Sequence, residues 1–488
     1  MIQGLIALVA GALLPLSLAP FDIWPFGMLA VAALFLLLQN TESSGLLLGW
    51  LFGVGKYSVG VSWVYVSIHD YGNASPLLAM LLVGLFIAGL ALFTLANGWL
   101  FCRFKRAHWL ASGAVFIVLY VLFEWLLTWF LTGFPWLLVG YGQLTTVMAG
   151  FAPLGGVLLV SFMTLCSAVG LVVWFQERQS KRAVPAIALA LVPWVIGAGL
   201  GLIAWVQPDE SQEVALVQGN IAQIDKWQPE NSQAIIEQYL TLSDPHWDTD
   251  LIVWPEASIT LFEDQASALL LALDERGKSS ATAIILGLPA REVKPHDEVV
   301  FKNTAIGLGT AHGRYAKRRL VPFGEYVPFA GTLRGLIQFF DLPMSRAEPG
   351  EWRQPLIQIG DTSVMVAICY EIVYPQLARE GADLLLTISN DTWFGDSIGP
   401  LQHLQMARMR ALENGRWLLR ATNNGVSAIV DERGAIRARL PRFEAGVLRG
   451  EYWRMRGLTP YARFGDWPLL AVLVLGFVLA VMTSRKTR

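Results

Sequence analysis

Cysteine and histidine are scarce in this chain. Three cysteines in 488 residues cannot form a disulfide framework, and none stands in a CxxC or Cys/His zinc spacing. The six histidines are scattered singly, whereas a metal site needs clustered ligands. We therefore expect no metal centre and no cofactor.

Charge is also scarce. Charged residues make up 15% of the chain, hydrophobic residues make up 54%, and the mean hydropathy is +0.49. Soluble domains carry about 25% charged residues, so we expect a membrane protein. The net charge of -2 does not indicate a basic surface that would bind nucleic acid.

Eight apolar segments are candidates to cross a bilayer, which needs about 20 mostly apolar residues. They are residues 5–19, 25–39, 46–68, 77–101, 109–131, 145–175, 184–206 and 467–483. The second and the last are short, and the sixth is long enough to include an interfacial stretch. The first segment does not have the pattern of a cleaved signal peptide, because too little positive charge precedes it and another apolar segment follows it too closely.

The loops between these segments differ in charge. Three short alternate loops contain no Lys or Arg. The loops after the fourth and sixth segments and the tail contain Arg103, Lys105, Arg106, Arg178, Lys181, Arg182, Arg485, Lys486 and Arg488. The positive-inside rule places these basic residues in the cytoplasm. The long polar segment between spans seven and eight then lies on the opposite side of the membrane.

Two charges, Lys56 and Glu124, interrupt the apolar runs. Charges within a membrane are costly and are often functional. A second interpretation stays open, in which Lys56 extends its side chain to the interface and Glu124 binds a neighbouring hydroxyl.

Residues 213–450 have the pattern of an α/β domain. The predicted strands lie in EVALVQGNI, DLIVWPEAS, TAIILGLPA, FKNTAIGLG, VMVAICYE, DLLLTISND and SAIVDERGAIRARL. The predicted helices are NSQAIIEQYLTL, SALLLALDERG and LQHLQMARMRALENG. Strands and helices in this order predict a sheet-rich core covered by helices.

Reactive side chains follow several of these strands. Glu256 ends DLIVWPEAS, Cys369 ends VMVAICYE, and Lys317 and Glu325 lie in GRYAKRRLVPFGEYVP. Active sites of α/β proteins are usually built just past strand ends. A carboxylate base, a thiol nucleophile and a lysine that stabilises an oxyanion suit attack on a carbonyl carbon.

Each residue also has an ordinary structural interpretation. Cys369 alone would be a small buried apolar residue. Glu256 alone would cap the helix that follows, and Lys317 would be surface charge beside Arg318 and Arg319. The Cys369 segment contains no histidine, so a papain-like Cys/His pair is not indicated.

WPE, the lysine before LVPFGE, and CYE occur in the order typical of the nitrilase superfamily, which the polar domain resembles. With the apolar spans and the motifs APFDIWPFG, WVYVSI, TGFPW, SNDTWFG, QMARMRALE and GLTPYAR, the resemblance narrows to the apolipoprotein N-acyltransferase family. It implies an eight-span helical membrane domain and a nitrilase-like αββα sandwich. The implied boundaries are 1–210 for spans one to seven, 211–452 for the catalytic domain, and 453–488 for the last span and tail.

The resemblance also assigns roles to residues. Glu256 would be the general base, Lys317 the cation that stabilises the oxyanion, and Cys369 the acylated nucleophile. Glu325 and Glu371 would orient Lys317 and share its charge. The backbone N–H of Tyr370 would help to bind the oxyanion.

The implied reaction is N-acylation of lipoproteins. An acyl chain passes from a phospholipid to Cys369 as a thioester, and then to the α-amino group of an apolipoprotein's S-diacylglyceryl-cysteine, in a ping-pong scheme. The implied protein is a monomer of the bacterial inner membrane whose catalytic domain faces the periplasm. Its expected partners are the phospholipid donor, the lipoprotein acceptor and membrane lipids, with no nucleic acid.

Substrate contacts are predicted in apolar or aromatic parts of the polar domain. Residues 331–344 are unusually apolar, and the candidate contacts are Trp227, Phe339, Phe340, Asn390 and Trp393. They would form mobile arms around the acyl chains. The alternative is that the aromatic side chains are part of a buried core.

Two other functions remain as alternatives. A membrane-tethered amidase or nitrilase would use water as acceptor with the same three residues, although seven spans exceed what a tether requires. A transporter or scaffold would carry an inactive domain, which an intact Glu–Lys–Cys set disfavours.

Overall fold

The computed structural model describes residues 1–294, 299–328 and 347–484. Within these residues the chain divides into two compact units. The first unit contains residues 1–65, 76–205 and the residues from 459 onward. The second contains residues 66–75 and 206–458.

The first unit is helical. Its longer helices before the polar segment are α1 (Ile2–Leu13), α2 (Pro25–Asn40), α3 (Leu46–Gly60), α4 (Pro76–Phe104), α5 (Trp109–Leu127), α6 (Ala152–Glu177) and α7 (Ala183–Leu200). Four stretches of the described residues are long and apolar enough to cross a membrane, namely Pro76–Phe104, Trp109–Leu127, Val147–Glu177 and Ala183–Leu200. Ile2–Ser17, Pro25–Asn40 and Trp467–Leu479 are apolar but shorter. Eight spans therefore stay a prediction.

Glycines allow α1 and α3 to approach closely. A β-carbon added at Gly11 would lie 1.9 Å from the carbonyl oxygen of Phe52, and one at Gly55 would lie 2.0 Å from that of Leu8. Larger residues would push the helices apart. Such contact stabilises helix pairs in lipid, where the hydrophobic effect between helices is absent.

The two charges of the apolar runs are buried in this unit. Lys56 is 1% exposed and Glu124 is 2% exposed. Glu124 accepts hydrogen bonds from the Val139 N–H at 2.8 Å and from the Ser161 hydroxyl. The expected bond from a hydroxyl is therefore present, whereas the expected extension of Lys56 to water is wrong because its side chain is enclosed.

The second unit contains two sheets. Its strands are β1 (Gln207–Gln218), β2 (Leu251–Val253), β3 (Ala283–Val293), β4 (Val299–Gly309), β5 (Ala311–His312), β6 (Arg314–Ala316), β7 (Ile357–Ile359), β8 (Thr362–Ile368), β9 (Leu384–Ser389), β10 (Leu418–Thr422), β11 (Ala428–Val430), β12 (Ile436–Arg439) and β13 (Gly446–Arg456). One sheet has the order β13-β1-β2-β3-β4-β6 and the other has the order β12-β11-β10-β9-β8-β7-β5.

Helices cover these sheets. α8 (Ser232–Ser243) and α9 (Ser267–Ser280) bury Ile235, Tyr239 and Leu273 against β1, β2 and β3. α10 (Gly399–Asn414) contacts β10 and the turn after β8. β1 contacts β10 and β4 contacts β8, so the sheets pack face to face in an αββα arrangement. The last helix, α11 (Trp467–Ser484), belongs to the first unit.

Parallel pairing brings the ends of several strands together. β1, β2 and β3 are parallel neighbours in one sheet, and β8, β9 and β10 are parallel neighbours in the other. Their carboxyl ends therefore lie at the same edge of each sheet, where Glu256 follows β2 and Cys369 follows β8. This is the edge at which α/β proteins usually bind ligands.

Candidate active site

Glu256 lies in the turn after β2. Its residue is 6% exposed, and the next residue, Ala257, has a left-handed φ of 47°. Gly287 on β3 leaves room for this turn, because a β-carbon there would lie 2.8 Å from the Ala257 nitrogen. A strained turn of this kind persists only where its surroundings enforce it.

Both carboxylate oxygens of Glu256 are bound. Oε1 accepts from Asn303 Nδ2 at 2.7 Å and from Lys317 Nζ at 3.4 Å. Oε2 accepts from the backbone N–H of Asn390 at 2.7 Å. The carboxylate is thus held in one orientation by three donors.

Lys317 is enclosed between two carboxylates. It is 1% exposed, and its Nζ lies 2.7 Å from Glu325 Oε1 as well as 3.4 Å from Glu256. Burial alone would lower the pKa of Lys317, but Glu325 and Glu256 outweigh burial and raise that pKa above its usual range. The ammonium is therefore charged at every physiological pH.

Cys369 begins the turn after β8. Its φ of 54° is left-handed, and the residue is half-buried. Burial and the charge of Glu256 raise the pKa of the Cys369 thiol well above its ordinary value, although Lys317 acts in the opposite direction. The resting thiol is therefore protonated, and a thiolate requires a base to take its proton.

Glu371 connects two segments of the site. Its buried carboxylate accepts from the Arg318 N–H at 2.7 Å, the Arg319 N–H at 3.0 Å and the Ile368 N–H at 2.9 Å. It also accepts from the Tyr315 hydroxyl at 2.8 Å. Glu371 thus joins the backbone beside Lys317 to the backbone beside Cys369, whereas Glu325 contacts the ammonium of Lys317 directly.

Two further predicted residues are buried in supporting positions. Tyr370 is 9% exposed, and its ring packs edge-on against Tyr374 with 5.2 Å between ring centroids. Asn390 is 6% exposed and donates from Nδ2 to Gln223 at 2.8 Å, in addition to its backbone bond to Glu256. Asn390 is therefore placed to hold the carboxylate of Glu256.

The aromatic residues predicted to contact substrate differ in how far their side chains are buried. Trp227 is 36% exposed, so its ring is not part of a core. Trp393 is half-buried, its ring lies 5.9 Å from that of Tyr71, and its carbonyl accepts from the Ser67 hydroxyl at 2.7 Å. Phe339, Phe340 and the segment 331–344 lie outside the described residues.

The sequence interpretation missed two polar residues of the site. Asn303 is a mid-strand residue of β4, and only its polarity in an apolar run could have indicated a role. Lys226 is 1% exposed, and its Nζ donates to the carbonyl of Glu256 at 3.1 Å. Burial lowers the pKa of Lys226 to about 8, although the charges of Glu256 and Cys369 oppose this.

The cluster contains the groups needed for acyl transfer through a cysteine. Cys369 supplies a nucleophile, Glu256 a proton acceptor and Lys317 a positive charge, all within electrostatic reach of one another. In the part of the chain that the structure describes, no group of three His, Cys, Asp or Glu side chains could hold a metal ion.

Comparisons with known proteins cover both halves of the chain. The family model described as carbon-nitrogen hydrolase matches residues 213–452, and the model described as apolipoprotein N-acyltransferase N-terminal domain matches residues 10–170. An apolipoprotein N-acyltransferase of Azotobacter vinelandii is 47% identical over 98% of this chain and 94% of its own length. One from Vibrio cholerae is 39% identical over 100% of this chain and 98% of its own.

Proposed function

The chain belongs to the apolipoprotein N-acyltransferase family, and on that premise we propose how its residues carry out lipoprotein N-acylation. The observation that supports the proposal is the cluster of Glu256, Lys317 and Glu325 around the turn that carries Cys369. Cys369 accepts an acyl chain from a phospholipid and passes it to the α-amino group of the acceptor's S-diacylglyceryl-cysteine.

In the first half-reaction, Glu256 takes the proton of the Cys369 thiol and the sulfur attacks the ester carbonyl. The ammonium of Lys317 stabilises the resulting oxyanion. The carbon–oxygen bond then breaks, and the protonated Glu256 returns its proton to the departing alkoxide. The products are a thioester on Cys369 and a lysophospholipid.

In the second half-reaction, the α-amino group of the acceptor attacks the thioester. Glu256 accepts a proton from this nitrogen, and Lys317 again stabilises the oxyanion. The carbon–sulfur bond breaks, an amide remains on the acceptor, and the thiolate of Cys369 regains the proton from Glu256. One base therefore serves both steps.

The proposed location is the bacterial inner membrane, with the catalytic unit in the periplasm. Its support is the absence of Lys and Arg from alternate loops, against the basic residues of the others. A reporter fused near Asp391 should be active only if it is of a periplasmic type, and a cytoplasmic signal would contradict this orientation.

The amidase alternative is not favoured. It accounts for the carbon-nitrogen hydrolase match at 213–452, but not for the apolipoprotein N-acyltransferase N-terminal match at 10–170. An amidase would use water as its acceptor, so it would not need to bind an acceptor that bears a lipid.

Mass spectrometry of the intact protein tests the thioester. Full-length protein is incubated with phospholipid and without acceptor, and should gain one acyl chain that hydroxylamine removes. Cys369→Ala should gain none, whereas the control Cys102→Ala, at another incompletely buried cysteine, should behave as wild type. An adduct on the Cys369→Ala protein would overturn the assignment.

A further inference from the structure

A second group of polar side chains lies behind Cys369 and has no part in the mechanism above. It consists of Ser389 at the end of β9, Asp391 just beyond it, His403 on α10 and Arg420 on β10. Their exposed fractions are 0%, 2%, 1% and 0%. Buried polar groups are costly unless their hydrogen bonds are made, so each bond in the group is informative.

The bonds of this group lead to both the backbone and the sulfur of Cys369. Arg420 Nη2 lies 2.7 Å from Asp391 Oδ2 and 3.0 Å from His403 Nδ1. His403 Nε2 lies 3.1 Å from the Cys369 carbonyl oxygen. The Ser389 hydroxyl lies 2.7 Å from Asp391 Oδ1. The pairing of Ile368 with Ile388 in β8 and β9 places Ser389 beside Cys369, where its hydroxyl can reach the sulfur.

The protons of His403 can be assigned from its partners. A guanidinium only donates, so Nδ1 of His403 accepts from Arg420 and Nε2 donates to the carbonyl of Cys369. Burial and the charge of Arg420 lower the pKa of His403, which agrees with a neutral ring. His403 is thus a positioning residue for the left-handed backbone of Cys369.

The Ser389 hydroxyl has one proton and two partners. Burial alone would raise the pKa of Asp391, but Arg420 and Ser389 hold it well below its usual range, so its carboxylate only accepts. In the resting state the Ser389 proton therefore points to Asp391, and the Ser389 oxygen accepts from the thiol S–H. When Glu256 has taken the thiol proton, the sulfur is an anion without a donor from this side.

We propose that Ser389 is a further catalytic residue, whose hydroxyl rotates from Asp391 to the sulfur of Cys369 and donates to the thiolate. The rotation moves the hydroxyl hydrogen about the Cβ–Oγ bond, and no proton is transferred between residues. Arg420 continues to neutralise Asp391 when this bond is lost. The inference rests on the proposed role of Cys369 as nucleophile.

Other charges also act on the sulfur, so the test must isolate Ser389. The charged or titratable groups that face Cys369 are Lys226, Glu256, Lys317, Asp391 and His403. Ser389→Ala changes none of these charges and removes only one oxygen atom. Thr387→Val is a matched control, because Thr387 is buried on the same strand and its hydroxyl has no hydrogen-bond partner among the described residues.

The experiment measures the rate at which iodoacetamide alkylates Cys369 in the full-length protein as pH is varied. Peptide mass spectrometry distinguishes Cys369 from the other cysteines. A hydrogen bond to an anion is worth enough to raise the thiol pKa by about 1 to 2 when it is lost. Ser389→Ala should therefore react about 10- to 100-fold more slowly below the midpoint, with an unchanged plateau at high pH. Thr387→Val should follow the wild type.

Two results would overturn the proposal. One is a Ser389→Ala profile that coincides with wild type, and the other is a lower plateau without a shift in midpoint, which indicates a structural role. Alkylation needs no lipid, so either result can occur while Cys369 still forms the acyl-enzyme. If Ser389→Ala fails to fold, the S–H stretching band of Cys369 is measured as the difference between wild type and Cys369→Ala. The band should have the frequency of a hydrogen-bonded thiol. A band at the frequency of a free thiol would refute the inference.

Discussion

Each unit of this protein buries a lysine near glutamate, but the two lysines have different surroundings. Lys56 in the helical unit and Lys317 in the sheet unit are both 1% exposed. The carboxylate nearest Lys56 is Glu124, which is bound to the Val139 N–H and the Ser161 hydroxyl. Lys317 lies between two carboxylates and faces a thiol.

The comparison shows what distinguishes a reactive site from a buried charge. Lys317 is paired with two carboxylates, as the burial of a charge requires, whereas the Nζ of Lys56 lies 5.2 Å from the ring centroid of Tyr57. Only Lys317 lies where strands end and where the neighbouring residues Ala257 and Cys369 adopt left-handed backbone angles. The polar contacts around Lys317 thus hold reactive groups in a set geometry.

The largest expected effect is that of Glu256→Gln. Glutamine keeps the shape of the side chain but cannot accept the thiol proton, so the acyl-enzyme should not form while phospholipid binding is retained. The measurement is intact mass after incubation with phospholipid alone. Thioester formation at the wild-type rate would contradict the role of Glu256. Glu124→Gln, in the other unit, is the matched variant and should leave the rate per folded molecule unchanged.

Lys317→Met should reduce the rate of acyl-enzyme formation by about 10² to 10³, the usual cost of losing one oxyanion donor. Lys56→Met should instead leave the rate per folded molecule unchanged and alter only stability, because Lys56 has no role in the proposed reaction. Single-turnover rates and thermal melting of both variants separate the two outcomes. A melting loss alone in Lys317→Met would show that the two lysines are equivalent.

Polar substitution of the aromatic residues should give smaller effects. Trp227 is 36% exposed, so Trp227→Gln should lower turnover while stability changes by about 0.5 kcal/mol or less, as at other surface positions. Trp393→Gln should lower both, because its ring packs against Tyr71. Equal turnover in Trp227→Gln and wild type would exclude a substrate contact at that position.

A third buried lysine, Lys226, has a pKa shifted in the direction opposite to that of Lys317. Burial lowers the pKa of Lys226 from 10.5 to about 8, so between these values the unfolded chain binds more protons than the folded one. Wild-type stability should therefore rise with pH over this window relative to Lys226→Met. Thermal melting of both proteins from pH 7 to pH 10.5 tests this. A constant difference would show that Lys226 stays charged throughout.

Much of the site was predictable because its residues stand next to strand ends. Glu256 and Cys369 each follow an apolar run, and Lys317 follows the short strand β6. Strand periodicity is readable from local sequence. Asn303, Lys226 and His403 were not predictable. Asn303 lies within a strand, Lys226 in a short turn of helix and His403 on a helix, and nothing in their local pattern indicates what they contact.

The fold, like the site, was predictable only in part. Each of the seven predicted strand runs contains a strand, and each of the three predicted helices is present. β5, β6, β7, β10 and β13 were missed. The first three are only two or three residues long, and LLRAT and GVLRGEYWRMR carry arginines and lack a clean alternation. Arg420 is tolerated in β10 only because Asp391 and His403 receive its guanidinium.

The sequence by itself determined the apolar segments, the α/β unit, the family, and the residues that we propose as base, cation and nucleophile. These follow from composition, periodicity and motifs, which are local properties of the chain. The tertiary structure decided which buried polar groups meet. Glu325 contacts Lys317, and Glu371 joins the backbone beside Lys317 to the backbone beside Cys369. Ser389 lies between Asp391 and the sulfur of Cys369. Such pairings depend on contacts between residues distant in sequence, and they form because buried donors and acceptors must be satisfied where the two sheets close on each other.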